Sequence, residues 1–358
     1  MKVLVAPLDW GLGHATRCIP VVDALLKQGD EVIIAADGAV EQLLRQEFPS
    51  LNYVKLPGYK IKYSPSLPMS IAMLIMLPSL FSKIIREHYR LGKLIKEYKP
   101  DAIISDNRFG LWNKKIHSVF ITHQVMIKCP SWIRLMEPLL HQANKVIINR
   151  YDECWIPDDE NKISGDLSHK YPLPANAKFI GRLSRWKDKL PHSSVKKYDV
   201  IGILSGPEPH RSALEKILIR ELSSSDFNSL LVLGKPGDRF EKKASGNLSI
   251  VSHLDAEKML EAVSSAEIVI SRPGYSSIMD FLSIKKNVLF IPTPGQTEQE
   301  YLADYLKSRK VFFSIAQKKF RLESALMELK KFSVDNFHEE PNDLSSFMAE
   351  WKKRAIAY

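Results

Sequence analysis

The residues best suited to acid–base chemistry lie near the start of the chain, in Gly11-Leu12-Gly13-His14-Ala15-Thr16-Arg17. This stretch follows the apolar run Val3-Leu4-Val5-Ala6 and precedes a helical pattern, so we predict a strand, a glycine turn and a helix. Glycines before a helix N-terminus let backbone N–H groups approach an anion. Imidazole suits proton transfer near neutral pH. His14 is therefore a candidate general base, and the alternative is a histidine that only hydrogen-bonds the loop.

Pro20 narrows where that helix begins. Proline is tolerated in the first turn of a helix, so we predict that the helix starts near residue 17. His14 would then lie in the loop at the carboxyl end of the strand, where open α/β sheets bind ligands. Thr16 stands where the dinucleotide fingerprint requires its third glycine, which disfavours a dehydrogenase.

A second candidate site is the run Ser271-Arg272-Pro273-Gly274-Tyr275-Ser276-Ser277-Ile278-Met279-Asp280, which again joins a strand to a helix. Gly274 permits a tight turn, and the two serines offer donors to phosphate oxygens. Asp280 lies about one turn further on, where a carboxylate can accept ribose hydroxyls. A simple N-cap by Ser276 is the alternative. One strand later, a Pro- and Gly-containing loop carries polar side chains able to recognise sugar hydroxyls: Gln296, Gln299 and Glu300.

Short apolar strands alternate with helices through both halves of the chain, which predicts an α/β fold with two doubly wound parallel sheets. We expect two Rossmann-like domains that face each other across a cleft. The predicted boundaries are an N-terminal domain at 1–181, a linker at 182–197, a C-terminal domain at 198–335 and a tail with a helix at 336–358.

Composition limits the class of protein. The 358 residues are 45% hydrophobic and carry a net charge of +10, which suits anionic partners. No basic run with interleaved aromatics appears, so nucleic acid ranks last among these partners. Cys18, Cys129 and Cys154 lack metal-ligand spacing and indicate reduced thiols in a cytoplasmic protein. A first strand that starts at Lys2 leaves no room for a signal peptide.

The longest apolar run, Met69–Leu77, is too short to span a bilayer. The predicted helix that continues from it carries Lys83, Arg86, Arg90, Lys93, Lys96 and Lys99 against only two glutamates. An apolar patch beside a basic face fits peripheral docking on the inner face of an anionic membrane. A solvated helix face over a buried loop explains the same pattern.

The motifs taken in order resemble the GT-B glycosyltransferases, most closely the MurG-like group (family 28) that uses UDP-sugars. They are the glycine loop with its histidine, a Ser-Gly pair opening the second half, the Arg-Pro-Gly-Tyr-Ser-Ser-x-x-Asp element and the Pro-x-Pro-Gly-Gln-x-x-Gln loop. The resemblance spans most of the chain and is most specific in the second half. It implies two Rossmann-like domains, a donor nucleotide held mainly by the second, and a C-terminal helix that crosses back to the first.

The resemblance also implies residue roles. Asp280 replaces a ribose-binding glutamate of the family, and Glu300 replaces a neutral amide near the donor sugar. The donor-side residues would be Gly13, Ser205, Gly206, His253, Leu254, Arg272, Gly274, Tyr275, Ser276, Ser277, Asp280, Gln296, Gln299 and Glu300. His14 would be the catalytic base, and Asp106 would orient it or bind acceptor, unless Asp106 only caps its own turn. The expected acceptor-side residues are Asp9, Arg17, His123 and Gln124.

These roles predict an inverting transfer from a nucleotide-sugar, with UDP as the expected nucleotide, to a hydroxyl on a glycan or lipid-linked acceptor. No Asp-x-Asp motif occurs, so we expect neither a metal nor a cofactor. Two alternatives stay open. The Gly-x-Gly-His-x-x-Arg loop is also similar to that of UDP-sugar hydrolases of nonulosonic acid synthesis, and a non-catalytic nucleotide-sugar-binding protein would use the same residues.

Overall fold

The computed structural model describes residues 1–58, 69–159, 161–187, 189, 195–235, 240–243, 246–337 and 343–358, with the backbone alone for 69–80 and 243. The side chains of the predicted apolar run Met69–Leu77 therefore lie outside the described residues. The chain divides into two compact units. One comprises Met1–Trp10, His14–Leu183 and Glu339–Tyr358, and the other comprises Gly11–Gly13 and Ser184–His338.

The described residues of the first unit form a seven-stranded parallel sheet in the order β3-β2-β1-β4-β5-β6-β7. Its central strands are short and almost wholly apolar, as expected for a sheet covered on both faces. The strands are β1 Lys2–Pro7, β2 Glu31–Ala36, β3 Asn52–Lys55, β4 Ala102–Asp106, β5 His117–Ile121, β6 Glu153–Ile156 and β7 Ala177–Phe179. The helices of this half are α1 Leu12–Lys27, α2 Gly38–Glu47, α3 Met69–Tyr98, α4 Glu137–Ile148 and α5 Asp166–His169.

The second unit contains a sheet of the same kind, in the order β10-β11-β9-β8-β12-β13-β14 among the described residues. Only its edge strand β10 pairs antiparallel in this sheet. The strands are β8 Tyr198–Ile203, β9 Ser229–Val232, β10 Glu241–Lys243, β11 Leu248–Val251, β12 Ala266–Ser271, β13 Val288–Phe290 and β14 Phe313–Ser314. The helices are α6 His210–Ser223, α7 Ala256–Ser264, α8 Tyr275–Ser283, α9 Thr297–Ser308 and α10 Leu322–Leu329.

Both sheets reverse their strand order at one point, between β1 and β4 and between β8 and β12. Such a switch point leaves a crevice at the carboxyl ends of the two strands, where α/β proteins bind ligands. The predicted fold class, two Rossmann-like α/β domains, is confirmed by these sheets.

The last helix, α11 (Leu344–Ile356), belongs to the first unit, as predicted. Trp351 is fully buried and its ring packs edge-on against Trp155 at 5.3 Å between centroids. Arg354 donates to both carboxylate oxygens of Glu153, at 2.7 and 3.2 Å. One apolar anchor and one charged anchor thus hold the end of the chain on this sheet.

A buried ion pair fixes the loops that follow β1 and β3. Arg108 is fully buried, and its Nε donates to Glu87 of α3 at 2.6 Å. The same guanidinium donates to the carbonyl oxygens of Pro7, Leu56 and Pro57. Because a guanidinium offers five donors in a rigid fork, one side chain holds two segments of backbone and the Glu87 carboxylate.

The prediction that α1 starts near residue 17 is wrong. The helix begins at Leu12, and Pro20 lies inside it. Proline removes one backbone hydrogen bond from a helix interior, at a cost of about 3 kcal/mol. Burial of Cys18, Ile19 and their apolar neighbours on the same helix offsets that cost. His14 consequently lies in the first turn of a helix rather than in a loop.

All three cysteines are buried and free. Burial raises the pKa of the Cys18 thiol well above its usual value. It also raises the pKa of Cys129, and that of Cys154 to about 12. The three side chains therefore remain neutral thiols at physiological pH.

Candidate functional site

The switch point of the first unit brings His14 and Asp106 together. His14 lies in the first turn of the helix after β1, and Asp106 is the last residue of β4. The two strands are neighbours, with Pro7 opposite Asp106. The Nδ1 atom of His14 lies 3.1 Å from Asp106 Oδ2. Asp106 is fully buried, whereas the His14 side chain remains 18% exposed.

Arg17 completes this cluster one helical turn after His14. Its Nε donates to Asp106 Oδ2 at 3.3 Å, and its Nη2 donates to Oδ1. The guanidinium is also almost fully buried. Burial favours a raised pKa for Asp106, but the charges and hydrogen bonds of Arg17 and His14 outweigh it and lower that pKa. Asp106 is therefore a carboxylate at neutral pH.

This arrangement can perform general base chemistry. A carboxylate that accepts Nδ1–H of an imidazole leaves Nε2 as the proton acceptor, and it stabilises the imidazolium formed when that proton arrives. The partly exposed ring is accessible to a hydroxyl group, while the carboxylate behind it is not. His14 and Asp106 thus have the geometry that a base and its orienting group require, and their catalytic role stays a prediction.

The other predicted acceptor-side residues lie around the same strand ends. His123 follows β5, and its Nδ1 lies 2.7 Å from Arg17 Nη1. The backbone N–H of Gln124 donates to Thr122 Oγ1, so the loop after β5 is held by its own side chain. Asp9 follows β1 and its Oδ2 accepts from the backbone N–H of Gly58 at 3.2 Å. Its buried Oδ1 has no hydrogen-bond partner in the part of the chain that the structure describes.

At the switch point of the second unit, α8 starts directly after Gly274. Tyr275, Ser276 and Ser277 therefore form its first turn, where the partial positive charge of a helix N-terminus favours an anion. Tyr275 and Ser276 are buried, and Ser277 is partly exposed. The structure places the predicted phosphate-binding residues where an anion site can form.

Arg272 is fully buried beneath this turn. Its guanidinium donates to the carbonyl oxygens of Ile291, Pro292 and His210 and to Gln317 Oε1. Burial lowers its pKa to about 10, so it still carries its charge at neutral pH. These contacts hold strand ends together, and a direct contact from Arg272 to a ligand stays a prediction.

Asp280, the predicted ribose ligand, is buried and engaged with a segment that the sequence did not single out. Its Oδ1 accepts from Ser184 Oγ at 2.9 Å and from the Arg185 backbone N–H at 3.1 Å. Its Oδ2 accepts from Arg185 Nε at 3.0 Å. A ribose would have to share or replace these donors. The sequence feature that could have pointed to Arg185 is its position directly before Trp186, whose side chain is buried.

Two predicted sugar-binding residues of α9, Gln299 and Glu300, hold the loop that precedes this helix. Gln299 Oε1 accepts from the backbone N–H of Thr293 at 2.9 Å, and Glu300 Oε1 accepts from that of Gly295 at 2.8 Å. Gly295 has a φ of +77°, a backbone conformation that favours glycine. Gln296 is the N-cap residue of α9. Sugar recognition by these three side chains stays a prediction.

The remaining donor-side residues follow β8 and β11. Ser205 and Gly206 lie in the loop that follows β8, and Gly206 has a φ of +96°. His253 and Leu254 follow β11. Both ring nitrogens of His253 are buried, and neither has a hydrogen-bond partner within the described residues. Burial and the charge of Arg185 lower the pKa of His253 to about 4, against the effect of Asp255, so its imidazole is neutral at physiological pH.

Among the described residues, no group of three or more His, Cys, Asp or Glu side chains is placed to hold a metal ion. In the same part of the chain, no helix has the length and apolar character needed to cross a bilayer.

Comparisons with known proteins agree with this architecture. Residues 215–355 match the glycosyltransferase family 28 C-terminal domain, and residues 1–125 match a glycosyl transferase family 1 model. An uncharacterized glycosyltransferase of Methanosarcina acetivorans is 25% identical over 340 residues, covering 84% of this chain and 82% of that protein.

Two further similarities are to proteins with more specific names. The UDP-N-acetylglucosamine–N-acetylmuramyl-(pentapeptide) pyrophosphoryl-undecaprenol N-acetylglucosamine transferase of Amoebophilus asiaticus is 21% identical over 357 residues, covering 92% of this chain and 91% of that protein. The crystal structure of MurG from Acinetobacter baumannii superposes with a TM-score of 0.58 at 12% identity, covering 99% of both chains. At that identity the structure supports the fold alone.

The fold and these matches define the chain as a glycosyltransferase with the GT-B fold. Within that class, the chain is similar to the MurG transferases, and its residues 215–355 match the family 28 C-terminal domain.

Proposed function

We propose that this enzyme transfers a sugar from a UDP-sugar to a hydroxyl acceptor, with inversion and without a metal ion, and that His14 is the general base. The observation that carries the proposal is the contact between His14 Nδ1 and the buried Asp106 carboxylate at 3.1 Å. His14 Nε2 removes the acceptor proton while the acceptor oxygen attacks the anomeric carbon. The bond from that carbon to the diphosphate breaks, and UDP leaves. A single displacement of this kind inverts the anomeric centre.

In this mechanism the second unit binds the donor. The first turn of α8 supplies N–H donors and the Ser277 hydroxyl, which stabilise the negative charge developing on the leaving diphosphate. Neither ring nitrogen of the neutral His253 has a hydrogen-bond partner among the described residues, so this side chain, next to Leu254, is suited to hydrogen-bond a base. The preference for UDP rests on the likeness to the Amoebophilus asiaticus transferase, whose name specifies a UDP-sugar.

We also propose a lipid-linked or glycan acceptor reached at a membrane surface on the cytoplasmic side. Phe81, Ile85 and Tyr89 of α3 are exposed large apolar side chains. Arg86, Arg90 and Lys93 of the same helix are exposed cations. Apolar side chains interleaved with cations suit the interface of an anionic bilayer. The undecaprenol in the name of the same relative supports an acceptor of this type.

The first test is donor binding. UDP-GlcNAc, UDP-glucose, dTDP-glucose and GDP-mannose are each added to the full chain, and the melting temperature is measured. A bound donor stabilises the protein by RT ln(1 + [L]/Kd), so UDP-sugars should raise the melting temperature most.

The second test is transfer by a variant without the proposed base. His14→Ala should keep the shift in melting temperature and lower transfer of radiolabelled sugar into a membrane lipid extract by about 100-fold or more.

The outcomes separate the alternatives. Free sugar released from UDP-GlcNAc without added lipid would favour the hydrolase. A melting shift with no turnover on lipid and glycan acceptors would favour a binding protein. If no nucleotide-sugar raises the melting temperature, the proposed donor class is wrong.

A further inference from the structure

Two side chains contact the same nitrogen of His14. Its Nδ1 lies 3.1 Å from Asp106 Oδ2 and 3.1 Å from Arg17 Nη2. A carboxylate only accepts a hydrogen bond, and a guanidinium only donates one. The two contacts therefore require opposite states of Nδ1.

Each state gives His14 a different chemical character. When Nδ1 carries the proton it donates to Asp106, and Nε2 is free to act as a base. When Nδ1 is a lone pair it accepts from Arg17, and a neutral ring then carries its proton on Nε2, where it can donate but cannot remove a proton. Arg17 and Asp106 thus compete for one atom.

The position of the ring proton is more restricted in His123, the second imidazole beside Arg17. Arg17 Nη1 lies 2.7 Å from His123 Nδ1, and the guanidinium can only donate there. His123 Nδ1 must be a lone pair, so His123 is neutral with its proton on Nε2. Protonation of Nδ1 would place two N–H groups against each other.

Solvent screens the charges of Arg17 and Asp106 only weakly. Arg17 and Asp106 are almost completely buried, so water does not separate them from the imidazoles. Among the described residues, the side chains in contact with Asp106 include Arg17 and Cys18 from α1, and His123 after β5 lies on the far side of the guanidinium. Cys18 is a neutral thiol 3.8 Å from Asp106 Oδ2. Arg17 is therefore the cation that balances Asp106 in this cluster.

We propose that Arg17 is a positioning residue that acts on His14 through Asp106: by neutralising the carboxylate, it limits the basicity that the carboxylate would otherwise give the imidazole. It also fixes the tautomer of His123. Without Arg17, the uncompensated charge of Asp106 would favour protonation of the neighbouring ring, and an imidazolium cannot accept a proton. The inference rests on the proposed function only in naming His14 the base.

Nitrogen NMR of histidine-labelled full-length protein tests this without any substrate. His14 and His123 are assigned with the variants His14→Gln and His123→Gln, and each ring is titrated. In Arg17→Met the titration midpoint of His14 should rise by about one pH unit or more, because Asp106 loses its competing cation. Arg17→Lys retains the charge and should stay within about half a unit of the wild type.

Asp106→Asn provides a second measurement if Arg17→Met does not fold. It leaves Arg17 unopposed beside Nδ1, so the His14 midpoint should fall by about one unit or more. Unchanged midpoints in both variants would overturn the proposal, and so would a wild-type His123 protonated on Nδ1 at neutral pH. Because no transfer is measured, failure here is distinct from failure of the proposed reaction.

Discussion

Asp106 and Asp280 are two buried carboxylates, each paired with an arginine, whose pKa values shift in opposite directions. Asp106 has both Arg17 and His14, and its pKa is lowered. Burial raises the pKa of Asp280, although Arg185 and Ser184 act against this. The contrast shows that a single arginine does not fully offset the desolvation of a buried carboxylate here.

The Asp280 pair makes a prediction that is independent of catalysis. Arg185→Met leaves a buried carboxylate without its cation and should lower the free energy of unfolding by roughly 3–5 kcal/mol. The double variant Arg185→Met, Asp280→Asn should lose clearly less, because the remaining amide carries no charge. Urea unfolding measures both.

The control for this pair is Arg220→Met, which removes an exposed arginine contacting Glu221. An exposed pair contributes at most about 1 kcal/mol. An Arg185→Met variant no less stable than Arg220→Met would show that the Asp280 pair contributes little to stability.

Sequence patterns predicted the candidate residues better than their contacts. His14 and Asp106 follow from residue type and from their positions after neighbouring strands. The contacts of Arg17 with Asp106 and His123 join segments that are 89 and 106 residues apart, which no local pattern encodes. Arg185 was missed for the same reason, because its partner Asp280 lies 95 residues away.

At the scale of elements, most strands and helices follow from hydrophobic periodicity because each buries an apolar stripe or run. The start of α1 does not, since tertiary burial overrides the local effect of Pro20. The polar segment after Ile163 also contains buried side chains, among them Leu167 and Trp186, although its composition resembles a linker. Isolated apolar residues in such a segment carry no periodic signal.

The docking of α11 predicts a pH-dependent stability. Burial favours a raised pKa for Glu153, but hydrogen bonds from Arg354, Trp155 and Lys178 lower it to about 2. The folded state thus binds fewer protons than the unfolded state between about pH 4.5 and pH 2. The stability from Glu153 is complete above the unfolded pKa and is lost as pH falls through this window.

Glu153→Gln should therefore lower the free energy of unfolding by about 1.5–3 kcal/mol at pH 7. The difference from the wild type should shrink between pH 4.5 and pH 2. Denaturant unfolding across this range measures it, with Glu350→Gln, an exposed position on the same helix, as control. A difference that stays constant with pH would contradict the assignment.

At the scale of the whole molecule, the net charge of +10 and the exposed face of α3 predict binding to anionic vesicles. Sedimentation with vesicles of phosphatidylcholine and phosphatidylglycerol should exceed that with phosphatidylcholine alone, and salt should weaken it. The double variant Ile85→Ser, Tyr89→Ser should reduce binding by about tenfold or more, because two apolar side chains no longer enter the interface.

The matched control is Met327→Ser, Ile356→Ser, which removes two similarly exposed apolar side chains outside α3. Equal loss of vesicle binding in both double variants would mean that α3 has no special role. Equal binding to vesicles with and without phosphatidylglycerol would rule out the electrostatic part of the proposal.

The three buried cysteines have a practical consequence. Maleimides and iodoacetamides react with exposed thiolates, and Cys18, Cys129 and Cys154 are neither exposed nor ionised at neutral pH. A cysteine introduced at a surface position would react first in the native enzyme. Site-directed fluorophores or spin labels can therefore be attached without first replacing the native thiols, and Cys18 can stay beside Asp106 undisturbed.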